Sequence, residues 1–342
     1  MTYMYDEALA APDCVAAQLA DDDTARTLAE RAARLNPTTV FTVARGSSDH
    51  AAAYFATLLM TQLGVPALSL PMSTANLHAA RLRVEGQLAV AFSQSGRSPD
   101  LIDAMRALDR LGATTLACVN ADHSPLAQAV SWNLPVLAGE ERSVAATKSY
   151  IGMLTRAVQL VGHWQQCVTD RSSLLEGLAT LPDAMREAAS LDWSEAVEAY
   201  AGVSRMMVVG RGAGLAIALE AALKLKETSG IQAEAFSSAE VRHGPMELID
   251  AGYPLLVFAP RGPEQSGLIA FADAMRARGA RVLLAAPASV RAAALPLVET
   301  AHAMLDPVAA IQSFYLMAER LASARGRNPD APMHLSKVTR TH

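Results

Sequence analysis

The stretch from residue 220 to residue 250, EAALKLKETSGIQAEAFSSAEVRHGPMELID, gathers carboxylates, an amine and an imidazole within a short span. Its first half, rich in Ala, Leu, Lys and Glu and free of Pro, predicts a helix that stops at Ser229-Gly230, where glycine supplies the cap. Glu220, Lys224 and Glu227 fall at i, i+4 and i+7 and so share one helical face. Beyond the cap, Glu240 and His243 follow in a polar segment, and the Gly244-Pro245 turn pins His243. Groups of these kinds, brought together, can move protons between neighbouring carbons. The same residues also fit a plainer account: a surface Glu220–Lys224 ion pair and an ordinary loop histidine.

The rest of the chain must position these groups. A helix-patterned, charged segment over 4–35 breaks at Pro12 and stops near Pro37. β-type runs at 38–44, 67–70, 88–92, 114–119 and about 133–136 alternate with helical stretches. That alternation predicts βαβ units and a parallel sheet covered on both faces. A long helix is expected over 143–165, and helical connectors interrupted at Pro182 over 170–200. The pattern then restarts. RMMVVGRG ending at Gly212 matches VFTVARG ending at Gly46, 166 positions earlier, and LLVFAPRG ending at Gly262 lies over AVAFSQSG ending at Gly96 at the same offset. DAMRA recurs at 103–107 and 273–277. These correspondences predict a duplicated α/β domain. The expected organisation is an N-terminal helical segment (1–35), a first domain (36–168), a helical linker (169–199), a second domain (200–325) and a C-terminal tail (326–342). The tail contains Leu335, which would prefer burial, and is expected to fold back over the site.

The copies differ at their strand ends. Copy one carries Ser47 and Ser48 after one strand, then Ser93, Gln94, Ser95 and Ser98 after another. In an open parallel sheet the ligand crevice lies at the carboxyl ends of the strands. Small hydroxyl residues opening a helix there offer backbone N–H groups, hydroxyls and the positive helix end to an anion. In copy two the equivalents are Ala213-Gly214 and Ala259-Pro260-Arg261, without hydroxyls. Copy one is therefore the expected phosphate holder. The alternative is that these serines only cap helices.

Composition excludes several other classes. Half the residues are hydrophobic (51%) and only 18% are charged, which supports a sizeable core. A net charge of −5 argues against a nucleic-acid partner. Cys14, Cys118 and Cys167 are far apart and odd in number, which fits reduced thiols in a cytoplasmic protein. No signal peptide, membrane-length apolar run or histidine pair at metal-ligand spacing is present, so neither a metal nor a membrane is expected. The GRGAG at 210–214 fails the dinucleotide template, because Leu215 stands where it needs glycine. Neither a GxxxxGK[ST] loop nor a GxSxG elbow occurs. No cofactor is expected.

SQSGRSPD, GRGAGLAIALEAALKLKE, AEAFSSAEVRHGPMELID and the closing LSKV resemble the double sugar-isomerase (SIS) family over nearly the whole chain. That family includes the synthase half of glutamine–fructose-6-phosphate aminotransferase, type II glucosamine-6-phosphate deaminases and related phosphosugar deglycases. The resemblance implies two tandem SIS domains, each a five-stranded parallel sheet flanked by helices in a flavodoxin-like three-layer sandwich. It also implies roles. Ser47, Ser48, Ser93, Gln94, Ser95 and Ser98 match the loops that hold the sugar phosphate, and Val144 matches a backbone contact to the sugar. Glu227 matches the base that shuttles a proton between C1 and C2, with Lys224 one turn earlier near the substrate. His243 matches the ring-opening histidine, which in the family can come from the neighbouring subunit of a homodimer. Lys337 matches the tail lysine that can form a Schiff base.

Two departures from the aminotransferase pattern stand out. Residue 2 is Thr2, where that enzyme places a nucleophilic cysteine, so no glutaminase domain is expected. The tail after Lys337 is also shorter than the family synthase's. The implied reaction is conversion of glucosamine 6-phosphate to fructose 6-phosphate and ammonia. Alternatives are a deglycase or isomerase on another amino-sugar or fructose-amine phosphate, and a non-catalytic sugar-phosphate sensor. The sensor would need a DNA-binding segment that the short, acidic N-terminus does not supply.

Overall fold

The computed structural model describes residues 2–337. Among these described residues, ten strands form two five-stranded sheets. The first contains β1 (Val40–Val43), β2 (Ala67–Ser69), β3 (Leu88–Ser93), β4 (Thr114–Val119) and β5 (Trp132–Pro135), in the order β2-β1-β3-β4-β5. The second contains β6 (Arg205–Gly210), β7 (Gln232–Ser237), β8 (Pro254–Phe258), β9 (Arg281–Pro287) and β10 (Leu295–Leu297), in the order β7-β6-β8-β9-β10. The strand pairings are parallel throughout. Counted along the chain, both sheets have the doubly wound order 2-1-3-4-5 of flavodoxin-like folds. The internal repeat read from the sequence is thus repeated in topology.

The chain divides into two compact units. Residues 13–141, 148–179 and 336–337 belong with the first sheet, and residues 2–12, 142–147 and 180–335 with the second. In each unit the period-2 alternation of a strand splits its side chains between two helical layers. In the first, Ala89 and Ala91 of β3 pack with Leu101, Met105 and Leu108 of the helix Pro99–Arg110. Phe92 points the other way, 5.5 Å centroid to centroid from Phe55 of the helix Ser47–Leu58. In the second, Leu255 and Val257 of β8 join Leu268, Phe271 and Met275 of the helix Gln265–Ala277. Phe258 instead meets Phe314 of the helix Asp306–Ala324, with centroids 6.2 Å apart.

Three local expectations shift. The long helix expected over 143–165 is Lys148–Thr169, because backbone N–H groups at Arg142, Ser143 and Val144 bond to distant partners instead of a helix. Pro12 and Pro182 open helices, Ala11–Ala20 and Leu181–Ser190, where a missing N–H costs nothing. Residues 232–237, read as part of a polar segment, form the edge strand β7, whose alternating burial leaves Gln232 and Glu234 exposed.

Candidate active site

The repeat register holds to the torsion angle. Gly46 and Gly212 each precede the helix that follows the first strand of their copy, with φ, ψ of 56°, −136° and 56°, −133°. Only glycine takes this conformation at low cost. In copy one the helix begins at Ser47 and Ser48, whose N–H groups belong to the first turn and have no intrahelical partner. The space where a Gly46 side chain would stand is open. In copy two a side chain at Gly212 would run into the carboxylate of Glu264, and the Gly214 N–H bonds back to Arg211 O at 3.0 Å. Among the described residues Ser48 makes no equivalent bond to Arg45. Copy two therefore covers this helix end with its own carboxylate, and copy one leaves it open to an outside anion. Burial pushes the carboxyl of Asp49, in the first turn of that helix, upward from its ordinary value.

The second loop shows the same division. Ser93 is buried at the end of β3 and its Oγ accepts the Gly96 N–H at 2.9 Å. Gly96, at φ 61°, presses on Ser124 so closely that an added Cβ would overlap its side chain. The turn is thereby fixed, with Gln94 and Ser95 partly exposed. Ser98 opens the helix Pro99–Arg110 without a side-chain capping bond, so helix capping does not occupy its hydroxyl. In copy two the corresponding turn surrounds Asp306. Arg261 donates Nε and Nη2 to the two carboxylate oxygens at 2.8 and 2.7 Å, and its backbone N–H reaches Oδ2 at 3.3 Å. Thr300 adds its N–H and hydroxyl at 2.9 and 2.8 Å. This copy's anion-recognising groups are turned inward onto the protein's own aspartate.

In the other unit, the helix Ala213–Ser229 ends at Gly230 in the left-handed conformation, as its sequence predicted. Glu220 and Lys224 are fully buried, with Lys224 Nζ 3.5 Å from Glu220 Oε1 and also paired with Glu227 Oε2. The hydroxyl of Tyr315 donates to Glu220 Oε1 at 3.0 Å. The plainer reading of a surface ion pair is thereby excluded. Glu220 and Tyr315 form the floor on which Lys224 rests, and Lys224 in turn holds Glu227. Glu227 is one-fifth exposed and opens onto a cavity of about 830 Å³ shared with Lys226, Arg327, Asn328, His334 and Leu335. Tail residues 331–335 line this cavity, but Leu335 is exposed there, against the expectation that it would be buried.

His243 lies elsewhere on the same unit. It ends the 3₁₀ turn Glu240–His243, is exposed, and lines a separate cavity of about 300 Å³ with Arg211, Ser238, Arg242 and Phe271. Val144 is held by a three-segment knot. Its N–H donates to Asp330 O at 3.1 Å, and the Asp330 carboxylate takes the N–H groups of Tyr3 and Met4 at 2.7 and 2.8 Å. Buried Glu7 accepts the N–H groups of Arg142 and Ser143, the two residues before Val144. Lys337 belongs to the unit of the serine loops, where its Nζ donates to Glu141 Oε2 at 3.0 Å. Glu7 and Glu141 carry no sequence signal that separates them from surface glutamates; only burial does. No His/Cys/Asp/Glu group able to hold a metal occurs among the described residues, and no described helix is long and apolar enough to cross a membrane.

The SIS domain family model matches residues 35–162 and 200–288. The chain is 34% identical over 308 residues to the glutamine–fructose-6-phosphate aminotransferase (isomerizing) of Symbiobacterium thermophilum, covering 86% of this chain and 50% of that protein. It thus spans about half the length of the curated relatives it matches. Among solved structures, a Silicibacter pomeroyi DSS-3 protein provisionally designated a phosphosugar isomerase superposes with a TM-score of 0.90 at 37% identity, covering 96% of this chain and all of that one. The C-terminal domain of glucosamine-fructose-6-phosphate aminotransferase from Francisella tularensis shares the fold, with a TM-score of 0.85 at 24% identity over 97% of this chain and 98% of that one. With two matched SIS regions on two sheets of identical order, this chain belongs to the SIS domain family.

Proposed function

We propose that this chain is a phosphosugar isomerase, and that its preferred reaction is conversion of glucosamine 6-phosphate to fructose 6-phosphate and ammonia. The observation that carries the reading is the asymmetry of the two copies. Gly46 stands beside open space at a helix start bearing Ser47 and Ser48, whereas its equivalent Gly212 faces Glu264. An unfilled helix start flanked by hydroxyls is suited to a phosphate. The names of relatives at 34% and 37% identity, an aminotransferase that isomerises and a provisional phosphosugar isomerase, agree with that substrate class.

In this reading Ser47, Ser48, Ser93, Gln94, Ser95 and Ser98 hold the phosphate, and that remote binding energy positions the reacting carbons. Glu227, set by Lys224, takes the C2 proton of the open-chain amino sugar and returns it at C1. The C2 amine becomes a ketimine, whose hydrolysis, by water directly or after transfer of the imine to Lys337, releases ammonia and fructose 6-phosphate. Val144 supplies a main-chain contact to the sugar. His243 opens the ring by moving a proton between the ring oxygen and O1. Because His243 lines a different cavity from Glu227 of its own chain, the reading includes a homodimer in which His243 serves the partner's Glu227.

The test is incubation with glucosamine 6-phosphate while ammonia and fructose 6-phosphate are both followed. Their appearance in equal amounts is expected. Fructose 6-phosphate interconversion with an aldose phosphate, without ammonia, would leave an isomerase and remove the deaminase. No conversion of any hexose phosphate would overturn the reading.

A further inference from the structure

Glu141 is buried, with its side chain sealed from solvent, in the segment between β5 and the helix Lys148–Thr169. Ser149, in the first turn of that helix, fixes it twice: the N–H donates to Oε1 at 3.1 Å and the hydroxyl to Oε2 at 2.6 Å. Lys337 Nζ also donates to Oε2, at 3.0 Å. Two of these three donors belong to a buried, 22-residue helix. The third comes from the tail. A carboxylate held rigid on one side and offered to an ammonium on the other is a mooring point.

We propose that Glu141 is the positioning residue that sets Lys337 for covalent attachment to the sugar. The proposal rests on the phosphosugar reading above. Lys337 gives one proton to Glu141, and the freed lone pair of Nζ forms a bond to C2 of the ketimine. The bond from C2 to the original nitrogen breaks, and that nitrogen leaves as ammonia, which takes the proton back from Glu141. The C2–Nζ iminium then adds water; the C2–Nζ bond breaks to give the ketose carbonyl, and Nζ departs as an ammonium that returns to Glu141. No oxidant or cofactor enters the balance.

The experiment is borohydride trapping of the full-length protein with fructose 6-phosphate. Borohydride reduces the imine to a stable secondary amine, and peptide mass spectrometry locates it. The wild type should carry one hexitol phosphate on Lys337. Glu141→Gln should lower that labelling roughly tenfold or more, the loss of one charge-assisted hydrogen bond. Glu141→Asp should restore part of it, and Ser149→Ala should lower it by less. In Glu141→Gln the exchange of solvent hydrogen into C1 should persist, because Glu227 is untouched, which a merely structural role would not predict. If Glu141→Gln fails to fold, the order wild type, Ser149→Ala, Glu141→Asp still tests the mooring. Labelling of Glu141→Gln equal to wild type would overturn the proposal, as would equal labelling across the second series. A wild type that converts phosphosugar but is never labelled at Lys337 would overturn it and leave the proposed function standing. A wild type that neither converts nor labels would overturn both.

Discussion

Lys224→Met separates a buried ion pair from a surface one. Lys224 is 1% exposed and Glu220 0%, with 3.5 Å between their charged atoms, and Glu227 Oε2 shares the same ammonium. The Met side chain fills most of the lysine stem's volume, so the variant chiefly removes charge. It leaves Glu220 buried with the Tyr315 hydroxyl still donating at 3.0 Å but with its ammonium gone. Breaking a buried pair from one side costs about 3–5 kcal/mol, whereas an exposed pair is worth about 1 kcal/mol at most. At roughly 2–4 °C per kcal/mol, the melting temperature should fall by roughly 6–20 °C. The double variant Glu220→Gln/Lys224→Met should recover most of that loss, because the Gln carbonyl keeps Tyr315 as a partner and no charge remains buried. Calorimetry of the three proteins measures it. A Lys224→Met melting temperature within about 2 °C of wild type, below the expected shift, would refute the reasoning.

Two further outcomes follow from other parts of the molecule. Ser47→Ala and Ser48→Ala should each lower kcat/KM for a hexose phosphate about tenfold to a hundredfold, the worth of a hydrogen bond to a charged group; steady-state kinetics decides this, and an unaltered kcat/KM would move the phosphate elsewhere. Burial pushes the Cys118 thiol up to about 12 from 9.0, so between about pH 9 and pH 12 the folded state holds a proton that the unfolded chain has lost. Stability therefore falls as pH rises through that window, by about 1.4 kcal/mol per pH unit from this group, and Cys118→Ala should flatten the fall in urea titrations at increasing pH.

The fold was legible because its signals are local and repeated. Gly46 and Gly212 occupy equivalent positions with matching torsion angles, and the 166-residue offset between them is visible as soon as the two strand ends are aligned. The serine loops were legible for the same reason: the hydroxyls are present in one copy and missing from the other. The start of the helix Lys148–Thr169 was not, because ERSVAAT has a helical pattern and only the distant partners Glu7 and Asp330 draw its N–H groups away. Burial of Glu220 was also hidden, since a Glu–Lys pair at i, i+4 looks alike on a surface and in a core; the deciding residue, Tyr315, lies 95 positions away. Asp306 answers Arg261 across 45 positions, and no spacing rule marks it. Contacts that close over long sequence separations are where the chain alone falls silent.

The central claim is that Glu227 moves a proton between C1 and C2 of a phosphosugar. Its most direct measurement is the rate at which solvent deuterium enters C1 of fructose 6-phosphate in heavy water, comparing wild type with Glu227→Gln. The amide keeps the shape of the side chain and cannot take up a proton. The account predicts exchange in the wild type and a rate lower by roughly 10²–10⁴-fold in Glu227→Gln, with the affinity for the phosphosugar unchanged. Exchange in Glu227→Gln at near the wild-type rate would contradict it.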